Sequence, residues 1–316
     1  MPKSSQIVHK ISLLILLLLS VLICGKVFAT RYAGDFEELG ASARAFGLGG
    51  AFTASVNDPS AIYYNPAMTT QTKTPQVLFL HSENLGGVVK NNFLSFIKPQ
   101  AEQSFGVAIL FNRIPDIKIT KLPYPDLPPS DTNQPYVDRI VDASDWICYL
   151  NYSRMINSNL SLGGNFKAIY RSLGIGSGFG MGIDLAAAMF LPQDFKIGAK
   201  ITNLTTSPLF WSTSTREQIL PKIVIGLAKT FNVKTSSVLF AADFETNFDD
   251  LNMSTNLGFE YLYKNTLGIR FGMYHWNPTF GVGFAIKRFF LDYAYLSRYN
   301  DEDLGASQKF SGGVRF

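Results

Sequence analysis

The 316 residues carry 28 Lys+Arg against 24 Asp+Glu, a formal net charge of +4, with 47% hydrophobic and 14% aromatic side chains. Three of the basic residues, Lys3, Lys10 and Lys26, fall in an apolar leader that holds no acid, so the remainder is left with 25 against 24. That near-neutral balance removes the electrostatic footprint a nucleic-acid binder needs, and no nucleic-acid partner is expected.

The chain opens on a positive start, an apolar stretch from Ile11 to Cys24 and the small-residue triplet Val27-Phe28-Ala29. This pattern predicts a secretory signal peptide over residues 1–29, because the apolar part is too short to span a bilayer. Of the two cysteines only Cys148 lies beyond it, between Trp146 and Leu150, which predicts an apolar-facing thiol and no internal disulfide.

Residues 30–75 are rich in small and turn-forming side chains. Gly47, Gly49 and Gly50 let backbone approach backbone, and Asn57-Asp58-Pro59-Ser60 and Asn65-Pro66 form turns. A compact plug inside a crowded interior is the expectation.

From Gln76 onward the apolar residues alternate. Leu267, Ile269, Phe271 and Met273 share one face, and Gly268, Arg270, Gly272 and Tyr274 share the other. The "GIGSGFGMG" run at 174–182 suggests a nucleotide loop, until its glycines are seen to recur at every second position as one small-residue face of a strand. About fourteen such strands are predicted over residues 76–316, each long enough to cross a membrane when tilted. Long connections alternate with short ones, the longest being Arg113–Asp142 and Thr205–Leu220. A backbone in hydrocarbon must satisfy its own polar groups, so spanning strands close into a barrel.

The predicted fold is therefore all-β, a transmembrane outer-membrane barrel of about fourteen antiparallel strands, with lipid around it and both termini at the periplasmic, short-turn end. Its inward face carries Asp184, Lys200, Asp243, Glu260, Arg270 and Asp292. These are candidates either for binding an anionic group, through Lys200 and Arg270, or for pairing across the lumen. The aromatic run Leu209-Phe210-Trp211 is placed on an outer loop as an entry point for a hydrophobic molecule, or as packing. The mature chain keeps only His81 and His275, with no nucleophile elbow, phosphate loop or metal-ligand cluster, so no enzyme, cofactor or metal is expected.

Ala43-Arg44-Ala45, Gly47 to Phe52, Asn57 to Ala61 and Tyr64-Asn65-Pro66-Ala67 resemble the N-terminal hatch of FadL-like outer-membrane transporters and of the related short PorV/PorQ-like barrels. The resemblance implies a hatch over residues 30–75 with Asn65, Pro66 and Ala67 as its motif, and passage of hydrophobic small molecules. Its PorV-like branch implies instead a type IX secretion or assembly partner that binds proteins. The last strand, ending on Phe316, resembles the signal read by barrel-assembly machinery in Gram-negative cells.

Overall fold

A computed structural model describes residues 34–174, 176–248, 252–296 and 305–316; the expected signal peptide at 1–29 lies outside them. Among the described residues the strands run β1 (Gln76–Asn84), β2 (Val89–Gln100), β3 (Gln103–Lys121), β4 (Tyr136–Asn157), β5 (Leu160–Ser172), β6 (Ser177–Leu191), β7 (Phe195–Thr202) and β8 (Ser207–Trp211). They continue as β9 (Arg216–Ile219), β10 (Lys222–Val233), β11 (Ser236–Asn247), β12 (Met253–Tyr263), β13 (Leu267–Tyr274), β14 (Asn277–Ile286), β15 (Phe289–Leu296) and β16 (Ser307–Arg315).

Fourteen of these form one antiparallel ladder that closes on itself, β1 pairing with both β2 and β16, and β5 with β6. Closure leaves no strand edge, which is the condition for a sheet in hydrocarbon. On β13, Leu267, Ile269 and Phe271 are exposed on the outer face while Arg270 is buried on the inner one. The same outward exposure recurs at Phe79, Leu94, Phe166, Ile183, Phe240, Phe280 and Leu291, giving the barrel an apolar belt. Cys148 is exposed on that belt beside Trp146 and Leu150.

The short turns Ala101–Glu102, Lys234–Thr235 and Lys287–Arg288 lie at one end of the barrel with Phe316, whose N–H donates to Pro75 O at 2.9 Å. The long connections lie at the other.

Two of them are more ordered than the sequence suggests. Most of Arg113–Asp142 continues the ladder of β3 and β4, which pair as far as Lys121 and Tyr136. The register shifts between Ile114 and Ile117, because Pro115 donates no N–H and Asp116 takes a φ of 59°. Arg113 and Asp142 pin this bulge through a contact of 2.5 Å. The predicted loop 205–220 is instead the β8–β9 hairpin, and β8 pairs with β6. It begins after a break in which Asn203 and Thr206 have φ of 55° and 61°.

Residues 34–75 thread the lumen as short helical turns, among them Ala43–Gly47, Ala61–Tyr64 and the 3-10 turn Pro66–Gln71. The expected N-terminus itself lies outside the described residues. The first described residues lie at the long-connection end: Asn112 Nδ2 donates to Phe36 O at 2.7 Å, and Lys222 Nζ meets Glu38 at 2.9 Å. The chain then descends the whole lumen and enters the sheet at the short-turn end. The C-terminal strand and the entry into β1 are at that end; the described start is not, because its carboxyl groups are paired with lysines high on the wall.

Candidate functional site

The interior contact between this segment and the wall is built from glycines and ion pairs. Gly47 backs onto Gly281, where an added Cβ would stand 3.0 Å from the opposite Cα. Gly49 (φ 63°) and Gly50 (φ 82°) have left-handed backbones, and a Cβ on Gly49 would lie 2.5 Å from Leu257 O. The wall answers with small residues of its own: a Cβ at Gly163 would stand 2.7 Å from the Ala67 backbone, and one at Gly258 2.6 Å from Leu48 O. Backbone therefore lies directly on backbone, as only glycine permits.

Asn65 is fully buried and works in three directions. Its Oδ1 accepts from Ala67 N at 3.1 Å, capping the turn that Pro66 begins. Its Nδ2 donates to Thr53 O at 2.9 Å within the segment and to Ala187 O of β6 at 3.3 Å. Ser161 Oγ donates to Ala67 O at 2.9 Å, and the Thr69 and Ser153 hydroxyls meet at 2.5 Å. Asn65, Pro66 and Ala67 thus sit in one turn fastened to β4, β5 and β6.

All six lumenal charges predicted from the sequence are engaged. Asp243 Oδ2 accepts from Phe52 N at 3.0 Å and Thr53 N at 2.9 Å. Glu260 receives Arg44 at 2.8 Å and Arg270 at 2.5 Å, and Arg270 also holds Asp292 at 2.7 Å. Lys200 donates to Tyr63 O at 2.5 Å, and Asp184 pairs with Lys167 at 3.1 Å. Glu260, Arg270, Asp292 and Asp184 thus form ion pairs with the segment or with neighbouring strands, while Asp243 and Lys200 hold backbone groups of the segment.

Several residues of this network were not singled out from the sequence. Lys167, fully buried, bridges Glu37 at 2.9 Å and Asp184. Lys309 donates to Leu39 O and stands 4.0 Å over the Phe46 ring. Both occupy inward positions of an alternating strand, and that alternation was the signal that could have found them. Leu209, placed on an outer loop as an entry residue, is buried; Trp211 faces Arg171, whose guanidinium also covers the Phe36 ring. Only Phe210 of that run is exposed.

Above the segment, beneath the β8–β9 hairpin, lies a cavity of ≈160 Å³. Phe46, Tyr63, Tyr64, Tyr149 and Tyr274 contribute to its lining. Burial pushes the Tyr64 phenol above its usual range, and it stays a neutral acceptor for Ala41 N–H at 3.2 Å. Among the described residues there is no cluster of three or more His, Cys, Asp or Glu suited to a metal ion.

Fold and site together define a plugged, fourteen-stranded transmembrane β-barrel. Its fold is that of FadL-type outer-membrane barrels. It superposes on the P. putida toluene transporter TodX (TM-score 0.60, 14% identity, 88% of this chain and 99% of that one). Similar superpositions hold for the Ralstonia pickettii toluene transporter TbuX (0.58, 14%, 88% and 98%) and for a Pseudomonas aeruginosa FadL homologue (0.52, 12%, 87% and 98%). At these identities the likeness is one of fold. The sequence matches no family model and no curated protein.

Proposed function

We propose that this protein is an integral barrel of the outer membrane that passes hydrophobic small molecules inward, with residues 30–75 as the hatch that closes it. One observation carries the reading: a segment of short turns fills the lumen and is held there by glycine contacts and by polar and ionic tethers such as Arg44–Glu260, in a barrel whose structural neighbours are described as hydrocarbon transporters. Tethers of this kind can be broken and remade without disturbing the ladder. In this reading the short turns and the entry into β1 face the periplasm, the β8–β9 hairpin faces outward, and the strand ending on Phe316 is the one offered to barrel-assembly machinery. Asn65, Pro66 and Ala67 form the lock whose rearrangement opens the hatch.

The test is uptake of a hydrophobic fluorescent dye by cells with and without the protein, and with residues 44–64 deleted, at equal amounts of folded barrel. The reading expects slower uptake without the protein and altered uptake with the deletion. Uptake indifferent to both, together with exported proteins failing to reach the cell surface, would replace it with the PorV-like secretion role.

A further inference from the structure

The short-turn end of the barrel carries charge on its outer rim that the lumenal network does not use. Three successive short turns, after β10, β12 and β14, each begin with a lysine: Lys234, Lys264 and Lys287. Their φ angles are 55°, 47° and 52°, a left-handed backbone that Gly or Asn adopts more easily, so the repeated choice of lysine argues for a use of its charge. Two arginines continue the row. Arg288 follows Lys287, and its carbonyl accepts from Arg315 N at 2.8 Å, which sets Arg315 beside it. All five residues are exposed. Successive turns in this arc are two strands apart, on the order of 10 Å.

No carboxylate balances them. Among the described residues none of the five takes part in an ion pair. The exposed acids of this end, Glu102 and Asp194, flank the arc, and Asp194 accepts from Asn232 Nδ2 at 2.7 Å. At the long-connection end both signs occur and pair, Arg113 with Asp142 and Lys121 with Asp138. The excess is a property of one end in a chain that is nearly neutral as a whole.

The depth of the arc indicates its partner. Phe231, Tyr263, Phe289 and Phe316, exposed and close to these cations in sequence, end the apolar belt. Lys264 Nζ stands 5.1 Å from the centroid of the Tyr263 ring. Such an aromatic girdle marks the level of the lipid headgroups, where lysine and arginine extend along apolar surface and leave the charge in water. A cation at that level faces lipid phosphate.

We propose that this arc is a docking surface for net-anionic glycerophospholipids of the leaflet at the short-turn end, their phosphates over Lys234, Lys264, Lys287, Arg288 and Arg315 and their chains against the neighbouring rings. Zwitterionic lipid is held less, because its own ammonium offsets its phosphate. The proposal needs only a membrane-embedded barrel and is independent of what passes through the lumen.

Native mass spectrometry of the full barrel, released from detergent that carries equal amounts of phosphatidylglycerol and phosphatidylethanolamine with identical chains, tests it. The wild type should retain phosphatidylglycerol about fivefold over phosphatidylethanolamine, the effect of about one near-surface cation. Lys234→Gln combined with Lys264→Gln, Lys287→Gln and Arg288→Gln should bring the ratio close to one, and high salt should do the same to the wild type without any substitution. A charge-matched variant at the other end, Lys90→Gln with Lys118→Gln, Lys121→Gln and Arg139→Gln, should keep the wild-type ratio. Heat-modifiable migration reports that each variant is folded. Equal retention of the two lipids by the wild type would overturn the proposal and leave the arc to an acidic protein partner. An unchanged preference in the short-turn variant, or its loss in the charge-matched one, would also overturn it, and so would displacement of the lipid by inorganic phosphate at matched ionic strength.

Discussion

Arg44 of the lumenal segment and Glu260 of β12 meet in a two-point ion pair, Nε to Oε2 at 2.9 Å and Nη2 to Oε1 at 2.8 Å. Arg270 approaches the same carboxylate from the wall and passes on to Asp292. One carboxylate thus joins the plug to the barrel and two barrel strands to each other. Removing it leaves Arg44 without a carboxylate and Arg270 with Asp292 alone, and a buried pair broken on one side costs about 3–5 kcal/mol. Glu260→Gln is therefore expected to unseat the segment more than Arg44→Ala, which leaves Glu260 paired with Arg270. Limited proteolysis of the folded barrel checks this: cleavage within residues 44–64 should be fastest in Glu260→Gln, intermediate in Arg44→Ala and slowest in the wild type.

The two faces of β13 should respond differently to the same substitution. Ile269→Arg or Phe271→Arg puts a cation into the apolar belt, at about 2–4 kcal/mol if near the bilayer midplane, and should reduce the heat-modifiable, membrane-inserted fraction. Gly272→Ala should insert normally, since its side chain points inward, but it collides with the backbone of Leu48 and Gly49. Its effect should appear as faster hydrogen exchange over residues 43–52. Equal loss of insertion from both faces would contradict the assignment of inside and outside.

How far the sequence went follows from which signals are local. The barrel strands are legible because alternation is written residue by residue, and the outward set on β13 is the one the sequence marks. The plug was legible from glycines that have few other uses, Gly49 and Gly50 with positive φ against the wall. What was not legible is non-local. Arg44 and Glu260 are 216 residues apart, and nothing near either announces the other. The β3–β4 ribbon was hidden by Pro115, which interrupts the alternation, and by a bulge that restores pairing beyond it. Nor do Glu37 and Glu38 carry any local sign of their partners at the long-connection end, Lys167 and Lys222.

Asn65→Ala removes the cap on Ala67 N and the donors to Thr53 O and Ala187 O. Loss of a side-chain cap costs about 0.5–2 kcal/mol, and the stranded carbonyls add to it. Amide exchange over residues 66–71 should rise while that of the β4–β5 ladder stays unchanged. Asn65→Asp keeps the acceptor but not the two donors, and should fall between the wild type and alanine.

Cys148 provides a probe of the outer face that needs no mutation. It stands exposed on the apolar belt, beside Trp146 and Leu150. In membranes it should resist a charged, impermeant maleimide, and it should react once the barrel is unfolded in detergent. Rapid labelling by the charged reagent in folded, membrane-embedded protein would contradict the position of β4 in the barrel wall.

The most direct measurement tests whether the lumenal segment must move for anything to pass. The Thr69 and Ser153 hydroxyls, 2.5 Å apart, mark a place where Thr69→Cys with Ser153→Cys would join the Asn65-Pro66-Ala67 turn to β4 by a disulfide. Uptake of a hydrophobic dye is then followed in liposomes carrying this variant, oxidised and reduced, with each single-cysteine variant as control. The account predicts that oxidation lowers uptake to that of protein-free liposomes and that a reductant restores it, while the single variants do not respond. Uptake through the oxidised, correctly folded variant at the wild-type rate would contradict the claim that residues 30–75 are the hatch of this barrel.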